Sequence, residues 1–224
     1  MDKSLKFYEQ RNEVLFVLFA AEKCIKKPLT RIEIQKIIYL SNSLSPLRDF
    51  ILDYFDFRVW NNGPYSKDIQ RTLNNLVGQR YLNMVEYTIK QKESKYNENS
   101  KYIISNIGRD TVNELIGIQI KKEEYEWILS VLRLISHFGI ENVVKIVYEE
   151  PTFKNLKNSS NGFGAEIPIY NENKNKIVEL AQELKNIGEQ DFGYSFNKPG
   201  DILLAVFDYL FSEIHQICEE LYHG

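Results

Sequence analysis

Between residues 67 and 80 the chain carries three cations and four amides against a single acid: Lys67, Gln70, Arg71, Asn74, Asn75, Gln79 and Arg80, with Asp68. These side chains do not break bonds; they grip and read polyanions. Asn and Gln pair bidentately with adenine and Arg with guanine, so Gln70, Arg71, Asn74 and Asn75 are candidate base readers in a DNA major groove. Lys67, near the start of the stretch, and Arg80, just past its end, are placed for phosphates. Lys90, Lys92, Lys95 and Lys101 follow as candidates for the backbone or minor groove. The plainer alternative is a solvated helix face, and Asp68, Glu93 and Glu98 favour it, since each repels phosphate.

Other residue types with chemical potential do not converge. His137, His215 and His223 are scattered, with no Cys, Asp or Glu at metal-site spacing. Glu123, Glu124 and Glu126 fall where a helix first turn would welcome them. Gly162-Phe163-Gly164 lacks the strand and the further glycine of a phosphate loop. Cys24 and Cys218 sit in apolar helical patterns, as packed thiols of a reducing compartment do. Trp60 and Tyr65 could stack on a ligand, but packing is the expected role. The sequence therefore points to no catalytic site, no metal and no cofactor.

A helix must carry the polar stretch. Ile69, Leu73, Leu76 and Val77 recur at i, i+4, i+7 and i+8 and predict a helix over 67–77 with that side inward. Ahead of it, Asn61 to Ser66 reads as a turn and cap: Gly63 permits positive φ, Pro64 fixes the next residue, and the Ser66 side chain can accept from free helix N–H groups. Gly78 closes the helix. Upstream, residues 12–25 are apolar almost all round and predict a buried central helix ended by Pro28. Thr30 and Glu33 spell a capping box, with Leu29 stapled against Ile34, for a helix running to about Leu44. Its Ile34, Ile37, Ile38 and Leu44 should face inward and Arg31, Gln35 and Lys36 outward.

Downstream, Val85, Tyr87 and Ile89 alternate with Glu86, Thr88 and Lys90, the pattern of a half-buried strand. A return strand is expected at Lys101–Ser105, with QKESKYNENS between them as a polar mobile loop. A helix through SNIGRDTVNELI follows, with Ile107, Val112, Leu115 and Ile116 on one side. From Lys121 on, only helices are predicted: Glu123–His137, stopped by Gly139; Ile140–Glu150, broken by Pro151; about Glu172–Ile187; and one from Pro199-Gly200 to Tyr222. Residues 153–170 read as a surface loop.

The segments LTRIEIQKIIYLSNS, FRVWNNGPYSKDIQRTLNNLVGQRYL and YIISNIGRDTVNEL resemble the Panacea, or SocA-like antitoxin, domain and related small bacterial and archaeal winged-helix proteins. Leu29, Gln35, Lys36, Tyr39, Leu40, Gly63 to Ser66, Leu73 and Leu76 carry the likeness. The run Ile104 to Arg109 is also similar to the end of the wing in PadR-like and MarR-like regulators. The resemblance covers about residues 12–116, half of the chain. It implies a winged helix-turn-helix, and with it DNA binding and transcription regulation, autoregulatory in a toxin-antitoxin or antiviral defence setting.

Bulk properties set the frame. The 224 residues, 43% hydrophobic and 26% charged, suit a chain that buries its own core. The net charge of -3 hides a polarity: residues 1–110 hold 18 Lys+Arg against 13 Asp+Glu, and residues 111–224 hold 10 against 18. A basic half joined to an acidic half implies divided labour. No apolar run approaches a membrane span and the start is no signal peptide, so a cytoplasmic protein is expected. The expected fold is mainly α (α+β): a winged helix-turn-helix domain with a β-hairpin wing over 1–118, then an all-α helical bundle over 119–224 for dimerisation or partner binding. The expected partners are double-stranded DNA, a second copy of the chain and no membrane. The alternative is a winged-helix adaptor whose acidic half neutralises a protein partner, a toxin or an enzyme, without touching DNA.

Overall fold

The computed structural model describes residues 2–48, 50–92, 95–160, 162–171, 174–194, 196 and 199–223, and their side chains outside 88–99, 199 and 213–223. Among the described residues the fold is mainly helical, with a small three-stranded antiparallel sheet. Two compact units emerge, each made of two stretches of chain: residues 1–38 with 66–136, and 39–65 with 137–224. Residue 118 lies within the first of these. The first unit holds 19 Lys+Arg against 14 Asp+Glu and the second 9 against 17, so one carries +5 and the other -8. No single described helix is long and apolar enough to cross a membrane.

In the first unit α1 (Lys3–Cys24) is the hub, with residues Val14 to Ala21 buried in unbroken succession. A helix buried on all sides needs apolar residues on every side, which is what its sequence supplies. Lys26 ends it in the left-handed region (φ 57) and donates its backbone N–H to Ala21 O at 3.0 Å. Next come β1 (Leu29–Thr30) and α2 (Arg31–Ser43). The capping box forms: Thr30 N–H donates to Glu33 Oε2 at 2.6 Å, and Glu33 N–H to Thr30 Oγ1 at 3.2 Å.

α3 (Lys67–Gly78) then leads into β2 (Leu82–Lys92), β3 (Lys95–Ile104) and α4 (Asn106–Leu115). β3 is central in the sheet, pairing β1 at Leu29↔Tyr102 and β2 from Leu82↔Ile104 out to Lys92↔Lys95. Ser105 caps α4, accepting from Gly108 N–H at 3.1 Å, while its own hydroxyl donates to Arg80 O at 2.7 Å. Gly108 is required there, because a Cβ would lie 2.4 Å from Tyr81 O. α5 (Gln119–Phe138) folds back on α1, with Tyr125 set edge-on to Phe16 at 5.8 Å and the Lys121 ammonium held between Glu9 and Glu124.

The second unit contains residues 39–65, α6 (Val143–Glu149), α7 (Pro151–Asn158), α8 (Lys176–Asp191) and α9 (Pro199–His223). A polar network organises its interior. Tyr39 donates its hydroxyl to Glu150, whose carboxylate also accepts from Thr152 N–H at 3.0 Å and Phe153 N–H at 2.8 Å, capping α7. Thr152 donates to Asn175 Oδ1 at 3.2 Å, and Asn175 donates to Ser43 O at 2.8 Å and Ile169 O at 3.0 Å. Burial pushes the Glu150 carboxyl up and the Tyr39 phenol well up, so Tyr39 stays a donor.

Several expectations are corrected. Of the polar run expected to loop, residues 91–92 and 95–100 pair as strand, because the antiparallel ladder satisfies backbone groups that a loop would leave to water. Val85 and Tyr87 are 43% and 52% exposed, not half-buried. A bulge falls between Met84 and Glu86, and β1 is only two residues long, so the outer hairpin has no third strand beside it. Gln35 and Lys36 are buried rather than outward. Ile107 is 51% exposed, and it is Gly108 and Val112 that α4 buries. The helix ahead of Pro151 ends at Glu149, as expected, and Pro151 also opens α7 at the N1 position, where its missing N–H costs nothing, so the start of the 153–170 stretch is helical rather than loop. Glu123, Glu124 and Glu126 lie beyond the first turn of α5, and Glu124 is buried against Lys121.

Candidate nucleic-acid interface

α3 is set by its burial pattern. Ile69, Leu73 and Leu76 are fully buried and Thr72 nearly so, while Val77 is half-buried. The opposite side carries Lys67, Gln70, Arg71 and Asn74 at i, i+3, i+4 and i+7, one stripe along the helix. Lys67, Arg71 and Asn74 are exposed, and Gln70 and Asn75 half-buried.

The stripe is internally bonded. Arg31 of α2 donates through Nη1 to Gln70 Oε1 at 2.7 Å, and Gln70 Nε2 donates to Asn74 Oδ1 at 3.1 Å. Arg31 thus belongs to this face although it lies 39 residues away, and nothing in the local pattern pointed to it. Arg71 pairs with Asp68 at 3.2 Å. Asp68 is therefore charge-compensated within α3, and the Arg71 guanidinium is engaged by it.

The start of α3 is held from outside the helix. The Ser66 side chain makes no capping hydrogen bond, contrary to expectation, and its Oγ is buried without a partner. Instead Gln35 Oε1 accepts from Ser66 N–H at 3.0 Å and Gln35 Nε2 donates to Ser66 O at 3.2 Å. The backbone ahead of Lys67 is fixed by a side chain of α2. Residues 44–66 separate the two helices, where a helix-turn-helix joins them by three or four residues.

Arg80 sits just past α3 at φ 65, exposed, with its carbonyl bound by Ser105. Lys101 lies on β3 and pairs with Glu86 across the strands at 2.8 Å. The side chains of Lys90, Lys92 and Lys95, and those of Glu98, His215, Cys218 and His223, lie outside the described residues, as does Glu93. Arg109, also basic, is spent on Glu22 through Nε at 2.8 Å and Nη2 at 2.5 Å, which holds the Glu22 carboxyl below its ordinary range.

Elsewhere, Cys24 is half-buried, and burial pushes its thiol up, away from a reactive thiolate. No three metal-ligating side chains come together among the described residues. In the second unit Trp60 and Tyr65, where packing was expected, are 46% and 38% exposed; Phe163, 61% exposed, joins them with its ring centroid 4.8 Å from that of Trp60. No protein-family model matches the chain, and no curated protein is recognisably similar to it.

Proposed function

We propose that the first unit binds double-stranded DNA as a winged helix-turn-helix, with α3 as recognition helix and the β2–β3 hairpin as wing, in the service of transcriptional control. The observation that carries the proposal is the stripe Lys67, Gln70, Arg71 and Asn74, extended by Arg31, on a unit of charge +5. Donor-rich side chains that are already aligned by one another lose less freedom when they meet base edges. Gln35 substitutes for the short turn, tying α2 to the start of α3. The sequence resemblance to antitoxin-type winged helices supports reading this activity as autoregulatory, in a toxin-antitoxin or phage-defence setting.

Fluorescence anisotropy with the protein's own upstream region and an unrelated duplex tests this. Arg71→Ala should weaken specific binding by about 1–3 kcal/mol and relax sequence preference. With roughly five phosphate contacts the slope of log K on log salt should be about -4 to -5. Failure to bind either duplex at low salt would overturn it.

A second reading has its own observation. The exposed aromatic cluster Trp60, Tyr65 and Phe163 lies on the unit of charge -8 and fits a protein partner with basic character. Nuclease-resistant, stoichiometric co-purification that is lost in Trp60→Ala but kept in Arg71→Ala would favour this adaptor role.

A further inference from the structure

A cavity of about 290 Å³ opens where the end of α1 meets β1 and β3. Leu18, Ala21, Leu29, Tyr102 and Ile104 line it, each at most 3% exposed, so its depth is apolar. Glu22, Lys26 and Lys27 also border it, and Glu22 and the two lysines are exposed.

The charges at this mouth are unequal. Glu22 is engaged by the Arg109 guanidinium on two sides, which offsets its charge. Lys27 stands 4.0 Å from Glu33 with 49% of its side chain in solvent. Lys26 has no ion pair among the described residues. Its left-handed backbone, φ 57, is a conformation that a non-glycine residue adopts only when the surroundings impose it. That turn brings both lysines to the border of an apolar hole. Two lysines at the border of an apolar hole disfavour a cation and attract an anion more strongly than a neutral solute, because only the anion adds a full opposite charge to the hydrogen bond.

We propose that this cavity binds a small organic anion with an apolar body, a short-chain monocarboxylate. The apolar chain would lie among Leu18, Leu29 and Tyr102, and the carboxylate would accept from Lys26 and Lys27. The volume is at the lower limit of ordinary ligand cavities, which selects a small molecule. The site stands independently of DNA binding.

The test is an NMR titration of the isotopically labelled full chain with hexanoate, and with hexanamide and hexan-1-ol as neutral probes. Saturable shifts confined to Ala21, Leu29 and Ile103 are expected, with hexanoate bound about tenfold more tightly than either neutral probe. The double variant Lys26→Ala/Lys27→Ala should erase that difference. Because both lysines are exposed, this variant keeps the fold, whereas Ala21→Leu, which fills the floor and should abolish all three, serves as a second check. Shifts that do not saturate, that spread over the surface, or that are equal for acid and amide would overturn the proposal.

Discussion

Gln35 grips Ser66 by both backbone groups, its amide oxygen 3.0 Å from the Ser66 nitrogen and its amide nitrogen 3.2 Å from the Ser66 oxygen. Both residues are buried, so water cannot replace either bond. Gln35→Ala should cost roughly 2–4 kcal/mol, measured as a shift in urea midpoint, because two buried backbone groups lose their partner. A loss under about 0.5 kcal/mol would show that the clamp is dispensable.

Arg80 separates stability from binding. Its φ of 65 is strained for arginine, so in Arg80→Gly the relieved strain and the greater freedom of the unfolded chain offset, and stability should stay within about 1 kcal/mol of wild type. Duplex affinity should fall for every sequence alike, with the salt slope reduced by about one. An unchanged slope means that Arg80 touches no phosphate.

Lys36 sets a pH dependence. Burial lowers its ammonium from 10.5 to about 8, so between those values the unfolded chain holds the proton more tightly than the folded one. Stability should therefore rise as pH climbs from about 8 towards 10.5, and the full cost, of order 3 kcal/mol, is present below pH 8. Urea midpoints at about pH 7 and about pH 9.5 check the sign. Lys36→Met should remove most of the difference, and an equal slope in that variant would assign it to another group.

Tyr39 and Glu150 should be energetically coupled. Tyr39→Phe leaves one carboxylate oxygen of Glu150 short of a donor, and Glu150→Gln weakens the cap on α7. A double-mutant cycle by chemical denaturation should return a coupling of about 1–3 kcal/mol. Additive effects would mean that the two side chains merely lie side by side.

What could be read from the sequence was what local rules decide. The box at Thr30 and Glu33, the buried helix around Val14 to Ala21 and the inward side of α3 all depend on residues within a turn or two of each other. What could not be read depends on distant partners. Gln35 and Lys36 have outward-looking positions in the helical pattern, yet Ser66 recruits one and burial takes both. Pro151 marked the end of one helix correctly, but only the Glu150 carboxylate, bound to Thr152 and Phe153, shows that it also opens another. The ladder runs on past Ile89 to Lys92↔Lys95 strand to strand, where no apolar alternation in the sequence announces it. Likewise the stripe on α3 was legible as spacing, whereas Arg31, its fifth member, was reachable only through the fold.

The weaving of each compact unit from two separated stretches bears on how the chain is made. As synthesis proceeds from the amino terminus, residues 39–65 emerge early but close their own unit only when 137–224 arrive. Tyr39 must wait for Glu150, and Ser43 for Asn175. The first unit is likewise incomplete until α5 brings Tyr125 to Phe16. A truncated product ending near residue 118 would leave the ribosome with the α1 aromatics uncovered and 39–65 unfinished, a substrate for chaperones and proteases and no working fragment.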